Sequence, residues 1–392
     1  MELPRTLPMH PIDLVSGFLV PEVQAYLLCV PFFPVRRAEV RSKLAPLVTD
    51  GFPRLCYRFR SRYGTIRSLE LAQDPGEPIS TSSAAELERR SLKELRAMVG
   101  DRHWHLLVVE DAASDVVLLV LLFDHFLGHG ELARGFLCAA GDRLGGGDSA
   151  GPRPLHPARE DAFRRHQSRL VELHHREQPW ASYQRLELGV GGLQRRARGA
   201  GLPFTEALTL ELARSIQAVA GAAGRSRPLD VLCFRMDEGR SSAHDPAVGN
   251  QSLLLEQWEA SPDGASRRTD AGPQEAHHGL ERFARAYGLT PGKPLVNQLL
   301  RGGLAAARLG AGLKRRDKLV VNNLGRTEHA FFRPIFFDPT NNADRFGLVY
   351  VDGNRDRLTL QLSPPHRYLA RFDWTAFEAR LLGSLGSPDP SG

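Results

Sequence analysis

The sequence predicts a mixed α/β protein built as two lobes, each a mixed β-sheet flanked by helices. Three observations carry that expectation. The chain has 392 residues, where a single domain usually takes roughly 100–200. Strand-like apolar runs alternate with amphipathic helical stretches along its whole length, the pattern of sheets covered by helices. Loop-like sequence between Gln178 and Pro203 separates two regions that each hold their own strands and helices, so residues 1–180 and 181–392 are expected as N-terminal and C-terminal lobes.

The elements follow in order. An apolar strand is expected around Ala25–Phe33, then a helix from about Val35 to Leu47, with Val40, Leu44 and Leu47 at helical spacing between Arg and Lys residues. Leu87–Val99 reads as a second amphipathic helix. Trp104–Glu110 and Val116–Phe123 read as strands joined by the short polar turn Asp111–Asp115. The second of them is apolar at every position, as expected for a strand covered on both faces. Glu131–Cys138 follows as an amphipathic helix, Gly141–Pro157 as an exposed glycine- and proline-rich loop, and Ala158–Glu177 as a long helix. The second half opens with a helix at Thr205–Ala220, strands at Leu229–Arg235 and Gln251–Trp258, and a helix near Gln274–Tyr287. Its closing portion is β-rich: Leu319–Asn323, Ala330–Phe337, and a hairpin of Phe346–Val351 with Leu358–Leu362 around the turn Asp352-Gly353-Asn354. A helix at Trp374–Leu385 closes the pattern.

With 42% hydrophobic and 24% charged residues, the composition is that of a packed globular protein rather than a disordered or fibrous one. The formal net charge of +6 and pI near 9.3 fit either a polyanionic partner or, given the excess of Arg over Lys and the abundance of Ala, Gly and Pro, a GC-rich coding bias. Nucleic acid is not expected as a partner, because no basic stripe is interleaved with stacking aromatics. The longest apolar run, Val116–Phe123, is too short to cross a bilayer, and no export signal is evident at the N-terminus. Cys29, Cys56, Cys138 and Cys233 lie far apart in apolar contexts, as reduced thiols of a cytoplasmic protein would.

The chemistry concentrates in Phe123-Asp124-His125-Phe126-Leu127-Gly128-His129-Gly130, which directly follows the buried strand and precedes a helix. This segment resembles the HHxxxDG signature of chloramphenicol acetyltransferase, the condensation domains of nonribosomal peptide synthetases, and the wax ester synthase/diacylglycerol acyltransferase family. Further stretches resemble the last of these in the same order along the chain: Met9-His10-Pro11-Ile12-Asp13, Pro53-Arg54-Leu55, Phe204-Thr205-Glu206-Ala207-Leu208, Gly249-Asn250 with Ser252-Leu253-Leu254, the loop-like Asn323-Leu324-Gly325, and Phe346-Gly347-Leu348-Val349. The resemblance implies two chloramphenicol-acetyltransferase-like lobes with a tunnel at their interface. It also implies transfer of an acyl group from a thioester to a hydroxyl or amine.

Two signature positions depart from the pattern: Asp124 stands for the first histidine and His129 for the aspartate. The second histidine, to which the family assigns catalysis, is His125. A neutral imidazole suits a general base at pH 7, since its ordinary pKa is about 6.5. The resemblance also gives the aspartate a structural role through an arginine. Asp124 could orient an imidazole or pair with an arginine; adjacent residues of an extended chain point to opposite faces, which argues against contact with His125. His129 could pair with an acidic side chain, occupy the aspartate's place, or be inert. Asn323 is the candidate donor to the developing oxyanion.

The pairs His174-His175 and His277-His278 lie on polar helical segments and read as solvated surface residues. His103 and His105 alternate on one strand face but lack a third ligand, so no metal is expected. The cluster Arg195, Arg196 and Arg198, like Lys314–Arg316, could bind the phosphates of coenzyme A or of a carrier protein's prosthetic arm, or could simply be solvated. No permanently bound cofactor is expected. Acyl-CoA or an acyl-carrier-protein thioester is the co-substrate, a small molecule the acceptor, and an acyl or peptidyl carrier protein the partner where the donor is tethered. The alternative is a catalytically silent, condensation-like protein that binds an acyl thioester or a partner protein.

Overall fold

The computed structural model describes residues 3–8, 23–62, 65–124, 127, 130–145, 157–177, 184–222, 229–236, 252–261, 264–267, 317–327, 329, 332–336, 346–354, 357–363 and 372–385. In its first part the order is β1 (Thr6–Pro8), β2 (Val23–Pro31), α1 (Arg37–Gly51), a 3-10 turn (Pro53–Cys56), β3 (Tyr57–Arg62), β4 (Thr65–Leu71), β5 (Ile79–Ser83), α2 (Ala84–Arg89), α3 (Leu92–Ala97), β6 (Trp104–Asp111), β7 (Val116–Asp124), α4 (Gly130–Leu144) and α5 (Pro157–Glu177). There follow β8 (Gln184–Gly189), α6 (Val190–Ala200), α7 (Phe204–Ala222), β9 (Leu229–Met236), β10 (Ser252–Ser261), β11 (Gly264–Arg267), β12 (Asp317–Thr327), β13 (Phe332–Phe336), β14 (Phe346–Asn354), β15 (Arg357–Ser363) and α8 (Trp374–Leu385).

The described strands form a small sheet β1-β4-β3, a five-stranded sheet β13-β2-β7-β6-β5 and a seven-stranded sheet β11-β10-β9-β12-β14-β15-β8. The five-stranded sheet is organised around β7. That strand is apolar from Val116 to Phe123 with no polar face, so it needs cover on both sides, and every one of its positions is buried. It pairs antiparallel with β2, Val23 opposite Asp124, and with β6, Trp104 opposite Phe123. One face packs Leu119, Leu121 and Phe123 against α1 and α4; the other packs Leu118, Val120 and Leu122 against α3 and α5. Each fully buried Leu, Val or Phe on this strand contributes about 1.5–3 kcal/mol. At Gly141 the helix α4 comes so close to β2 that an added Cβ would sit 2.5 Å from Leu28 Cδ2.

The seven-stranded sheet places β12 between β9 and β14, parallel to both. Its Leu319, Val321, Val349, Val351, Leu358, Leu360 and Leu362 meet α6, α7 and α8 in a separate core.

Four local expectations change. Leu87–Val99 is two helices, because Ser83-x-x-Glu86 and Ser91-x-x-Glu94 each build a capping box; the second restarts the chain after a break at Arg90. Gln184–Ala200, read as loop, is strand β8 and helix α6. The glycines misled: α6 ends where Gly201 takes φ +63°, with Leu202 N–H donating to Ala197 O, so glycine here stops a helix rather than marking a loop. Gly141 belongs to α4, not to the following loop. The β14–β15 ladder continues through Asp352, Gly353 and Asn354, the last opposite Arg357, so these three are strand and not turn. The expected helix near Gln274–Tyr287 and the segments Met9–Asp13 and Gly249-Asn250 lie outside the described residues.

Candidate functional site

The segment from Phe123 to Gly130 runs from the end of the most buried strand to the start of α4. Its described residues are Phe123, Asp124, Leu127 and Gly130; His125 and His129 lie outside them. Asp124 is only 6% exposed. Its carboxylate Oδ2 is 2.8 Å from His103 Nδ1, and its N–H donates to His103 O at 2.8 Å. A histidine is therefore one partner of this carboxylate. His103 reaches Asp124 because it sits just before β6 in the left-handed region, φ +57°, with its ring edge-on to Phe59 at 4.5 Å.

An arginine does reach the segment, but three residues further on. Leu127 is fully buried, its N–H donates to Asp124 O at 2.9 Å, and its carbonyl accepts from Arg54 Nε. Arg54, in the 3-10 turn after α1, is 1% exposed. A guanidinium so deep must be hydrogen-bonded, since a bare buried charge costs several kcal/mol. The turn that presents it is itself tied down: Leu55 O accepts from Arg102 Nη2 at 2.8 Å and from Trp104 Nε1 at 3.0 Å. Phe136 of α4 packs edge-on against both Trp104 and Phe52, which fixes the helix to the same frame.

His103 and His105 do not form a ligand pair. His103 lies outside the strand, and His105 on β6 contacts Ser80 Oγ through Nε2 at 2.7 Å. Burial pushes the His105 imidazole down to about 4, with Arg90, Arg41 and Arg37 adding to the effect and a Met98 backbone hydrogen bond opposing it. Among the described residues, no three His, Cys, Asp or Glu side chains gather as a metal would need.

Asn323 lies within β12, opposite Val351 of β14, at a break in register between Asn323 and Arg326. The expected loop Asn323-Leu324-Gly325 is thus a strand irregularity. Helix α4, which begins at the signature segment, approaches β12, and His329 beyond that strand pairs with Asp142 of α4 at 3.3 Å. Arg195, Arg196 and Arg198 sit on α6, in the helical layer over the seven-stranded sheet. All three are exposed, but Arg196 is bound to Glu211 at 2.7 Å, and Glu211 also meets Arg214 at 3.4 Å. One of the three cations of the expected patch is thereby compensated.

Sequence reasoning missed Arg54, His103 and Arg333 as members of buried polar clusters. Arg333 of β13 bridges the two large sheets, reaching Glu187 of β8 at 3.4 Å and Asp352 of β14 at 3.8 Å, with its Cζ 5.6 Å from the centre of the Phe163 ring. A charged residue inside an otherwise apolar stretch was the available signal for Arg54 and for Arg333.

No protein-family model matches the chain, and no curated protein matches it by sequence. Solved structures do match over nearly its whole length. TRI101 of F. graminearum, complexed with coenzyme A and deoxynivalenol, superposes with a TM-score of 0.58 at 10% identity, covering 94% of this chain and 98% of that one. The first condensation domain of the CDA synthetase gives 0.52 at 14% identity, with 97% and 94% covered. The wax ester synthase/diacylglycerol acyltransferase of Marinobacter aquaeolei VT8 covers 97% and 100% at 13% identity, but its TM-score of 0.46 carries no argument for that narrower group. The chain has the two-lobed α/β fold that TRI101 and the condensation domain share.

Proposed function

We propose that the protein is a thioester-dependent O- or N-acyltransferase with His125 as general base. The observation that carries this reading is the placement of the signature segment between the central strand β7 and helix α4, with its members Asp124 and Leu127 held by His103 and Arg54. The fold shared with a coenzyme A complex adds support. The imidazole takes a proton from the acceptor hydroxyl or amine as that atom attacks the thioester carbonyl. The new C–O or C–N bond forms, the C–S bond breaks, and the proton passes to the departing thiolate, so no covalent enzyme intermediate is required. Help of this kind is worth about a hundred- to ten-thousand-fold in rate.

In this reading the reactants meet in a tunnel between an N-terminal lobe of residues 1–180 and a C-terminal lobe of residues 181–392, the second lending strand β13 to the sheet of the first. Asn323, on the irregular stretch of β12, is the donor to the oxyanion. The donor is an acyl-CoA or an acyl or peptidyl carrier protein, with Arg195 and Arg198 offering exposed cations for its phosphate and Arg196 held back by Glu211. His129 takes the place of the signature aspartate. The acceptor is a small molecule of specialised rather than general lipid metabolism, as the altered signature favours, and the enzyme works in the cytoplasm.

The test is release of free thiol from a panel of acyl-CoA and acyl-carrier thioesters in the presence of alcohols and amines. Wild-type protein releases thiol, and His125→Ala reduces the rate by at least about a hundredfold while leaving thermal unfolding unchanged. Full activity in His125→Ala removes the mechanism. The second reading, a silent thioester-binding protein, is favoured by the two altered signature positions. It predicts thioester binding without any acceptor-dependent thiol release.

A further inference from the structure

We infer that Arg54 and His103 are positioning residues that grip the segment bearing His125 from its two sides, an inference that rests on the acyltransferase reading for its catalytic part. The grip is visible in its anchor points. On one side, His103 engages Asp124 twice, through its carbonyl to the backbone N–H and through Nδ1 to the carboxylate, each at 2.8 Å. On the other, Arg54 Nε donates to the carbonyl of Leu127, and Leu127 N–H returns to Asp124 O at 2.9 Å. His125 is the first of the two residues that this last hydrogen bond spans in the sequence.

The two grips hang from one frame. His103 is flanked by Arg102 and Trp104, and both neighbours donate to the carbonyl of Leu55, the residue after Arg54. The short turns 53–56 and 100–102 are therefore cross-linked at a single oxygen, and movement of one grip is transmitted to the other. Packing sets the frame as well: the His103 ring lies against Phe59, and Trp104 against Phe136 of the helix that follows the segment. Stability alone does not call for this arrangement. A buried ion pair is often replaced as a whole by apolar side chains of similar volume at no loss in stability. What Arg54 adds over a methionine is direction, because a guanidinium N–H fixes the plane and position of one carbonyl. A general base loses rate steeply when displaced by about 1 Å, so a rigid mount for His125 serves turnover rather than folding.

The experiment uses the full chain with Arg54→Met and Asp124→Ala, each removing one grip, and Arg54→Lys and His103→Asn as conservative variants that keep a donor. Asparagine also tolerates the left-handed backbone at 103. Two quantities are read: amide hydrogen exchange of a peptide covering residues 123–131, against a reference peptide 163–173 in α5, and steady-state kinetics with the donor thioester. Loss of a charge-assisted hydrogen bond is expected to speed exchange in the 123–131 peptide by about tenfold or more and leave the reference unchanged. kcat falls by about tenfold or more while KM for the thioester stays within about threefold. Arg54→Lys and His103→Asn recover most of both. If Arg54→Met does not fold, Asp124→Ala carries the same expectation. Unchanged exchange in the 123–131 peptide overturns the inference whatever the activity, as does unchanged kcat in an active protein. Faster exchange in a protein whose wild type releases no thiol upholds the grip and removes the acyltransferase reading instead.

Discussion

His105 gives the sharpest physical test of how the five-stranded sheet is packed. It sits on β6 beside Ser80, and burial pushes its imidazole down to about 4 from an ordinary value near 6.5. In the unfolded chain the ring binds a proton once the pH drops below about 6.5, whereas in the fold it stays neutral until about 4. Between those values the unfolded state holds more protons, so acid favours unfolding. The contribution is fully present above about 6.5 and is lost as the pH falls, at about 1.4 kcal/mol per pH unit, for a total of about 3 kcal/mol on reaching about 4. His105→Gln removes the titration and keeps a polar group for Ser80. Urea unfolding followed by tryptophan fluorescence at pH 7, 5.5 and 4.5 compares the two proteins, so that the carboxylates common to both cancel. The wild type loses stability relative to the variant by about 2.4 kcal/mol over this window. A difference that does not change with pH refutes the shielding of that ring from water beside Ser80.

Two further perturbations follow from buried groups. Burial pushes the thiols of Cys29 and Cys56 up, to about 12 and about 11, so both should resist iodoacetamide at pH 8 in the native protein and react once it is unfolded, as read by mass spectrometry of digested samples. Arg333→Met removes the cation that spans the two large sheets and lies 3.8 Å from Asp352, 1% exposed. The expected cost is about 3–5 kcal/mol in urea unfolding, partly recovered when Asp352→Asn is added. Independent, additive effects of the two substitutions would contradict the pairing.

The fold was legible where local pattern and burial coincide. The unbroken apolar run of β7 told both that it is a strand and that both its faces are covered, and the segment after it could be placed at a strand-to-helix turn before any coordinates. Two other features carried readable signals that were outweighed. The Ser-x-x-Glu boxes at Ser83 and Ser91 mark two helix starts within what looked like one helix. Leu186 and Leu188 alternate as a strand does, and Leu193 and Ala197 follow at helical spacing, but the surrounding glycines hid both elements. The small sheet escaped because β3 and β4 are rich in Arg and polar residues, which dilutes the apolar signal.

What lay beyond reach was long-range pairing. β13 comes late in the chain yet forms the edge of the five-stranded sheet beside β2, and nothing in Phe332–Phe336 names its partner. The same limit applies to the candidate site. His103 and Asp124 are brought together by the antiparallel register of β6 and β7, and Arg54 reaches Leu127 across 73 residues of sequence. The residue types were visible, but the geometry that joins them belongs to the folded chain.

The account stands on His125 facing a passage that a thioester can enter. A structure of the protein bound to a thioether analogue of an acyl-CoA, which cannot be cleaved, tests this directly. The account predicts the analogue threaded between the two large sheets, with its sulfur near His125 and the imidazole within about 3 Å of the site where an acceptor oxygen or nitrogen would stand. An imidazole enclosed by packed side chains, with the analogue bound elsewhere or not at all, would contradict it.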